Sequence, residues 1–206
     1  MELTVDQKDG ITELINIGYG RAAGALSELT GYRIFLEVPQ VAIHDIEALA
    51  PMLDNVLGRS IASVNQAFTG PVNGNALMLM DEPSAVILSR LLGDDHSLSR
   101  TMDSNAKETI TEVGNILLNA CLGVFGNLLR IHVNFEVPQM HLDSADHLIE
   151  SAVLFSEEKL SHGLMIHTRF RVKAENLIGY LVIVLGITSL DRLLLELGNW
   201  ETRQAQ

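Results

Sequence analysis

Two copies of a glutamate and an asparagine, three residues apart, are the residues of this chain best suited to chemistry. The segment Glu13-Leu14-Ile15-Asn16 matches the segment Glu112-Val113-Gly114-Asn115, which lies 99 positions later. Residues three apart on a helix share a face, so each glutamate is presented beside its asparagine. A carboxamide can hold a water molecule in line for attack, as a glutamine does in some phosphoryl-transfer sites. The carboxylate can pair with a lysine or arginine of a docked phosphorylated partner and so place the amide over the phosphoryl group.

The same residues also admit a purely structural interpretation. An exposed helix face must carry polar side chains, and a glutamate alone needs no further explanation. Asparagine is less expected inside a helix because its side chain competes for backbone hydrogen bonds. Its presence at both equivalent positions, Asn16 and Asn115, therefore favours a functional pair. Neither residue type is a strong nucleophile, and no Ser-His-Asp or Cys-His arrangement accompanies them in the sequence.

A further carboxylate precedes each pair by one helical turn, Asp9 in the first copy and Glu108 in the second. The apolar residues of the first helix, such as Leu14 and Ile15, point to another side, so the polar residues are expected to be exposed or at a rim. Glycines and alanines follow Asn16 along the helix and would let the backbone of another protein approach it closely.

The two motifs belong to a longer internal repeat. Residues 11–40 align without a gap on residues 110–139, with eleven of thirty positions identical. A repeat of this length predicts one domain, spanning 1–206, that consists of two half-repeats of about 1–100 and 101–200 sharing a single core.

The fold predicted from periodicity is α/β (α+β), with two long adjacent helices and a largely antiparallel six-stranded sheet related by a pseudo-twofold axis. Thr4 and Gln7 have the spacing of a capping box, and Gly31 is a good helix stop. The apolar period then predicts the first long helix over 5–30. The other predicted helices are 104–130, 46–53, 145–151, 84–92 and 190–197, and the strands are 32–42, 60–68, 74–80, 131–141, 163–172 and 179–185.

Composition excludes several functional classes. The net charge is −12, with 14 basic and 26 acidic residues and no basic cluster, which argues against a nucleic-acid partner. The seven histidines lack the spacing of metal ligands, so no metal site is predicted. Cys121 is the only cysteine, which excludes an internal disulfide and fits a reducing cytoplasm. No membrane-spanning segment is predicted, since the longest apolar stretch, 177–187, is well below the roughly 20 residues required. No signal peptide is predicted, since the first residues lack a basic region followed by an apolar one.

The motifs resemble those of a known family. Asp9, Glu13 and Asn16 form the pattern D-x-x-x-E-x-x-N, followed by small residues. This pattern resembles the signature of the CheC/CheX/FliY family of chemotaxis phosphatases, and the copy with Glu112 and Asn115 is similar to that family's second motif. Two motifs in a chain of about 200 residues, without an appended switch domain, favour the CheC-like branch.

The resemblance implies a specific activity. Members hydrolyse the aspartyl phosphate of CheY-type response regulators, with the asparagines (Asn16 and Asn115 here) on the attacking water. The glutamates, Glu13 and Glu112, would contact a lysine of the receiver domain. The required Mg²⁺ would be the receiver's own, so no cofactor is expected in this chain. Some members also bind the receptor deamidase CheD, which makes CheD a second candidate partner.

One departure from the family pattern concerns the second copy, where Glu108 stands in place of the usual Asp or Ser. Its longer carboxylate adds like-charge repulsion with Glu112, so the first site is expected to be the better one. Asp9 and Glu108 are included as partner-binding candidates. An alternative function is a non-catalytic adaptor that binds a receiver domain or CheD, and a structural role in the flagellar switch is a third hypothesis.

Overall fold

The computed structural model describes residues 3–92, 101–130, 132–154, 160–172 and 175–204. The helices found there, α1 to α6 in chain order, are Val5–Thr30, Ile46–Leu57, Glu82–Leu92, Ser104–Leu129, Ala145–Leu154 and Ile187–Gln204. The strands, β1 to β8, are Ile34–Leu36, Gln40–Asp45, Ile61–Thr69, Gly74–Asp81, Asn134–Phe135, Gln139–Asp143, Leu160–Val172 and Glu175–Gly186.

The two long helices begin and end as their sequences predict. Thr4 Oγ1 accepts from the Gln7 backbone N–H at 3.2 Å, and Gln7 Oε1 accepts from the Thr4 N–H at 3.0 Å. This capping box starts α1, and Gly31 ends it with a left-handed φ of 68°. Asp103 caps α4 by accepting from the Ala106 N–H at 2.9 Å, and the helix ends at Arg130, also left-handed.

The sheet interlocks the two halves of the chain. The hairpins β3–β4 and β7–β8 meet in the centre, where β4 pairs antiparallel with β8 and Met78 lies opposite Leu181. The first strands of each half then pair with the hairpin of the other half: β1 and β2 with β7, and β5 and β6 with β3. This exchange gives the sheet the pseudo-twofold arrangement predicted from the repeat, and the predicted α/β fold class is confirmed.

The strand count differs from the prediction at the two edges of the sheet. The predicted strands 32–42 and 131–141 are each divided into two segments, and Pro39 and Pro138 lie in the breaks. A proline has no N–H to donate to a neighbouring strand, so it interrupts an edge strand without disturbing the centre of the sheet. Eight strand segments therefore occupy the six predicted positions.

Helices cover both faces of the sheet. The larger apolar cluster joins α1, α3, α4 and α6 to one face, and a smaller cluster joins α2 and α5 to the other. Along β4, Met78 points into the first cluster, whereas Leu77 and Leu79 point into the second. Because the central strands are buried on both faces, they read as continuous apolar runs, which accounts for the mean hydropathy of +0.22.

The helix α4 owes its apolar sequence to a place in the core. Although no membrane-spanning segment is predicted from the sequence, Ser104–Asn127 is long and apolar enough to be one by length and composition. Half of that stretch is buried, with α4 packed against α1 on one side and β3 below. The contact with α1 is close: a Cβ added to Gly18 would lie 2.9 Å from the Cα of Cys121.

Candidate functional site

The first Glu/Asn pair is displayed on the outer face of α1. Glu13 and Asn16 are exposed, and so is Asp9 one turn before them. The apolar residues Leu14 and Ile15 between the pair are fully buried in the larger cluster. The helical period thus turns the polar side chains to the surface while its apolar side anchors the helix on the sheet.

The second pair occupies the equivalent place on α4 with a different exposure. Glu108 and Glu112 are exposed, whereas Asn115 is half-buried. Between them, Gly114 packs directly on β3, and a Cβ there would lie 2.6 Å from the side chain of Val64. The backbone of α4 is therefore held close to the sheet within the motif itself.

Asn115 is hydrogen-bonded to two further amide side chains in series. Asn119 Nδ2 donates to Asn115 Oδ1 at 2.5 Å, and Gln66 Nε2 donates to Asn119 Oδ1 at 3.2 Å. Gln66 Nε2 also donates to the backbone carbonyl of Glu136 at 3.0 Å. Asn119 and Gln66 are not among the site residues predicted from the sequence. Asn119 lies one turn after Asn115 on the same face, which is a signal that could have identified it.

The first site has no such series. The position one turn after Asn16 is Gly20, and a Cβ placed on Gly20 would meet nothing within 4 Å. Within the described residues, the Asn16 side chain makes no hydrogen bond to another part of the chain. The helix surface beside Asn16 is therefore open.

A groove borders the second site. Its walls are the C-terminal end of α1, with Leu26 and Leu29, and the N-terminal half of α4, with Asn105, Glu108 and Glu112. Leu29 is 62% exposed although it is apolar. Apolar side chains on one wall and carboxylates on the other suit contact with a protein surface that carries both apolar and basic side chains.

Near the two pairs, the described residues include no exposed thiol and no cluster of metal ligands. Across the described residues, no group of three or more His, Cys, Asp or Glu side chains could hold a metal ion. Cys121 is completely buried, and burial raises the pKa of its thiol well above the usual range. The exposed carboxylates and the amides of these surfaces suit docking of a partner and orientation of water.

Comparisons with known proteins agree with the geometry. No protein-family model matches the chain. It is 25% identical over 174 residues to the CheY-P phosphatase CheC of Bacillus subtilis, covering 79% of each chain. CheC1 of Halobacterium salinarum is 23% identical over 154 residues, or 73% of this chain and 76% of CheC1.

Among solved structures, FliY of Thermotoga maritima superimposes with a TM-score of 0.77 at 18% identity, over 97% of this chain and all of that one. At this identity the likeness concerns the fold. The sequence relatives, the fold and the paired motifs on α1 and α4 agree: the chain is similar in sequence to CheC phosphatases and in fold to FliY.

Proposed function

We propose that this protein hydrolyses the aspartyl phosphate of a CheY-type response regulator. The observation that carries the proposal is the display of two Glu/Asn pairs on the outer faces of α1 and α4, which pack side by side. The name of the Bacillus subtilis relative, a CheY-P phosphatase, supports the same substrate class.

The reaction requires little covalent chemistry from this chain. Water attacks the phosphorus in line, the aspartate carboxylate of the receiver leaves, and inorganic phosphate is released. Asn16 and Asn115 orient the water, since a carboxamide can accept from it and donate to a neighbouring oxygen without changing charge. Glu13 and Glu112 bind a lysine of the receiver and fix each amide over the phosphoryl group. One positioned amide is worth about 3 kcal/mol, or ~10²-fold in rate.

The remaining assignments follow from this mechanism. Mg²⁺ enters with the receiver domain, so this chain supplies no cofactor of its own. Asp9 extends the acidic docking surface by one turn on α1, whereas Glu108 lies at the equivalent place on α4, where its charge repels that of Glu112. We propose that the protein acts in the cytoplasm together with its response-regulator partner. CheD is a further candidate partner from the family resemblance.

The test is phosphate release from a phosphorylated CheY-type receiver, measured for the wild type, Asn16→Ala, Asn115→Ala and the double variant. The wild type should accelerate release over spontaneous hydrolysis, and the double variant should not. Asn127→Ala is the matched control because Asn127 is exposed on α4 but lies three turns beyond the motif. Failure of the wild type to accelerate release from every candidate receiver would contradict the proposal.

The same variants distinguish a non-catalytic adaptor from a phosphatase. An adaptor would form a complex with the receiver, detected by co-purification, that survives loss of both asparagines. A phosphatase requires the complex and the amides together. Retained binding with no acceleration in the wild type would favour the adaptor.

A further inference from the structure

The three amide side chains of the second site form a series of hydrogen bonds. This series determines whether the oxygen or the nitrogen of each amide faces its neighbour. The series begins at the backbone carbonyl of Glu136, which can only accept a hydrogen bond. Gln66 must therefore turn its Nε2 toward that carbonyl, at 3.0 Å. The same Nε2 lies 3.2 Å from Asn119, so Asn119 must offer its oxygen. Asn119 therefore donates a hydrogen bond through its Nδ2 to Asn115 Oδ1, at 2.5 Å.

The anchor of this series is rigid. Gln66 lies on β3 and is only 2% exposed. Glu136 is held on the same strand, because its N–H donates to the Ala67 carbonyl at 3.0 Å. Oxygen and nitrogen ends of an amide are assigned from their partners, and here the partners allow a single assignment through all three side chains.

The consequence for Asn115 is a fixed orientation. Its Oδ1 points along the helix toward Asn119, so its Nδ2 points away from Asn119, and rotation about the amide is restricted. A carbonyl oxygen has two acceptor positions, so one stays available for a water molecule. The first site lacks an equivalent hydrogen bond, since Gly20, which has no side chain, occupies the position one turn after Asn16.

We propose that Asn119, held by Gln66, is a positioning residue that pre-orients the Asn115 amide in the second site. This inference rests on the proposed phosphatase activity. Asn115 then donates through Nδ2 to an oxygen of the docked phosphoryl group while its free Oδ1 acceptor position receives the attacking water. An amide already held in the reactive orientation loses less freedom in the transition state, and such a gain is expressed in kcat.

The experiment isolates the second site in an Asn16→Ala background and measures kcat and KM for receiver dephosphorylation. Adding Asn119→Ala should lower kcat about 10-fold and change KM less than about 2-fold, the pattern for loss of a transition-state interaction. Adding Asn119→Asp keeps an acceptor for Gln66 but removes the donor to Asn115. It should reverse the Asn115 amide and lower kcat at least as much. Asn127→Asp adds the same charge elsewhere on α4 and should leave kcat unchanged.

Nuclear magnetic resonance of the side-chain amides gives a reading independent of turnover. The Asn115 NH2 resonances should shift in the Asn119→Asp protein, because the hydrogen bond to Asn115 Oδ1 is lost. Equal kcat in the presence and absence of Asn119, or no residual acceleration in the Asn16→Ala protein, would overturn the positioning role while leaving the first site's activity intact. Failure of the wild type itself to accelerate release would instead overturn the proposed function, and with it this role.

Discussion

At the scale of single residues, the two sites share their motif but not their surroundings. Asn16 is exposed and followed by Gly20, whereas Asn115 is half-buried and bonded to Asn119. The second site also carries two carboxylates one turn apart, Glu108 and Glu112, whose like charges repel each other. Pre-orientation of its amide and repulsion between its carboxylates act in opposite directions on the activity of this site.

Removing the extra charge separates these two effects. Glu108→Gln keeps the length of the side chain and removes its charge, which relieves repulsion of about 0.5 kcal/mol between residues four apart on a helix. In an Asn16→Ala background, kcat/KM for receiver dephosphorylation should rise about 2-fold. The matched control is Glu150→Gln, an exposed glutamate on α5 on the other side of the sheet, which should have no effect. A fall in kcat/KM would show that Glu108 assists docking.

At the scale of elements, the separation of α1 and α4 sets the separation of the two Glu/Asn pairs. The helices meet where Gly18 of α1 faces Cys121 of α4, and a Cβ on Gly18 would lie 2.9 Å from a backbone atom there. Backbone cannot move aside as a flexible side chain can, so only glycine allows this approach. Both pairs are positioned by this contact although neither takes part in it.

Gly18→Ala should therefore force the helices apart and destabilise the protein. Overpacking of this kind costs about 1–3 kcal/mol, to be measured by urea unfolding. Gly24→Ala is the control on the same helix, because its Cβ would meet nothing within 4 Å; it should stabilise by up to ~1 kcal/mol through helix propensity. Burial raises the pKa of the Cys121 thiol and shields it, so native thiol labelling should be slow and should accelerate in Gly18→Ala. Equal stability of the two variants would contradict the close contact.

The elements themselves could be predicted from the sequence because their signals are local. The capping box at Thr4, the stop at Gly31 and the apolar period between them lie within one segment, and α1 forms as expected. The pairing of β1 with β7 and of β5 with β3 is set by contacts distant in sequence, and no local pattern specifies it. For the same reason the spacing of Glu13 and Asn16 predicted that they share an exposed helix face. The hydrogen bond between Gln66 and Asn119, which are 53 residues apart, could be found only in the folded sheet.

At the scale of the whole molecule, the exchange of edge strands makes each half depend on the other. The hairpin β3–β4 is completed on its outer edge by β5 and β6, which belong to the second half. On the far face, α2 of the first half packs against α5 of the second, and Leu53 and Leu148 lie in the same apolar cluster. We therefore expect the two half-repeats to unfold as a single domain.

A destabilising substitution in the first half should consequently shift the unfolding transition reported by a probe in the second half. Trp200, the only tryptophan, is buried in α6 within the larger cluster, whereas Leu53 is fully buried in the smaller one. Leu53→Ala should cost about 2–5 kcal/mol and shift the urea midpoint of Trp200 fluorescence together with that of far-ultraviolet circular dichroism. Val56→Ala lies on the same helix at a 46% exposed position. It should change the free energy of unfolding by no more than ~0.5 kcal/mol, whichever probe is used. A Trp200 transition unchanged by Leu53→Ala would mean that the halves unfold separately, because a single cooperative unit has one midpoint for every probe.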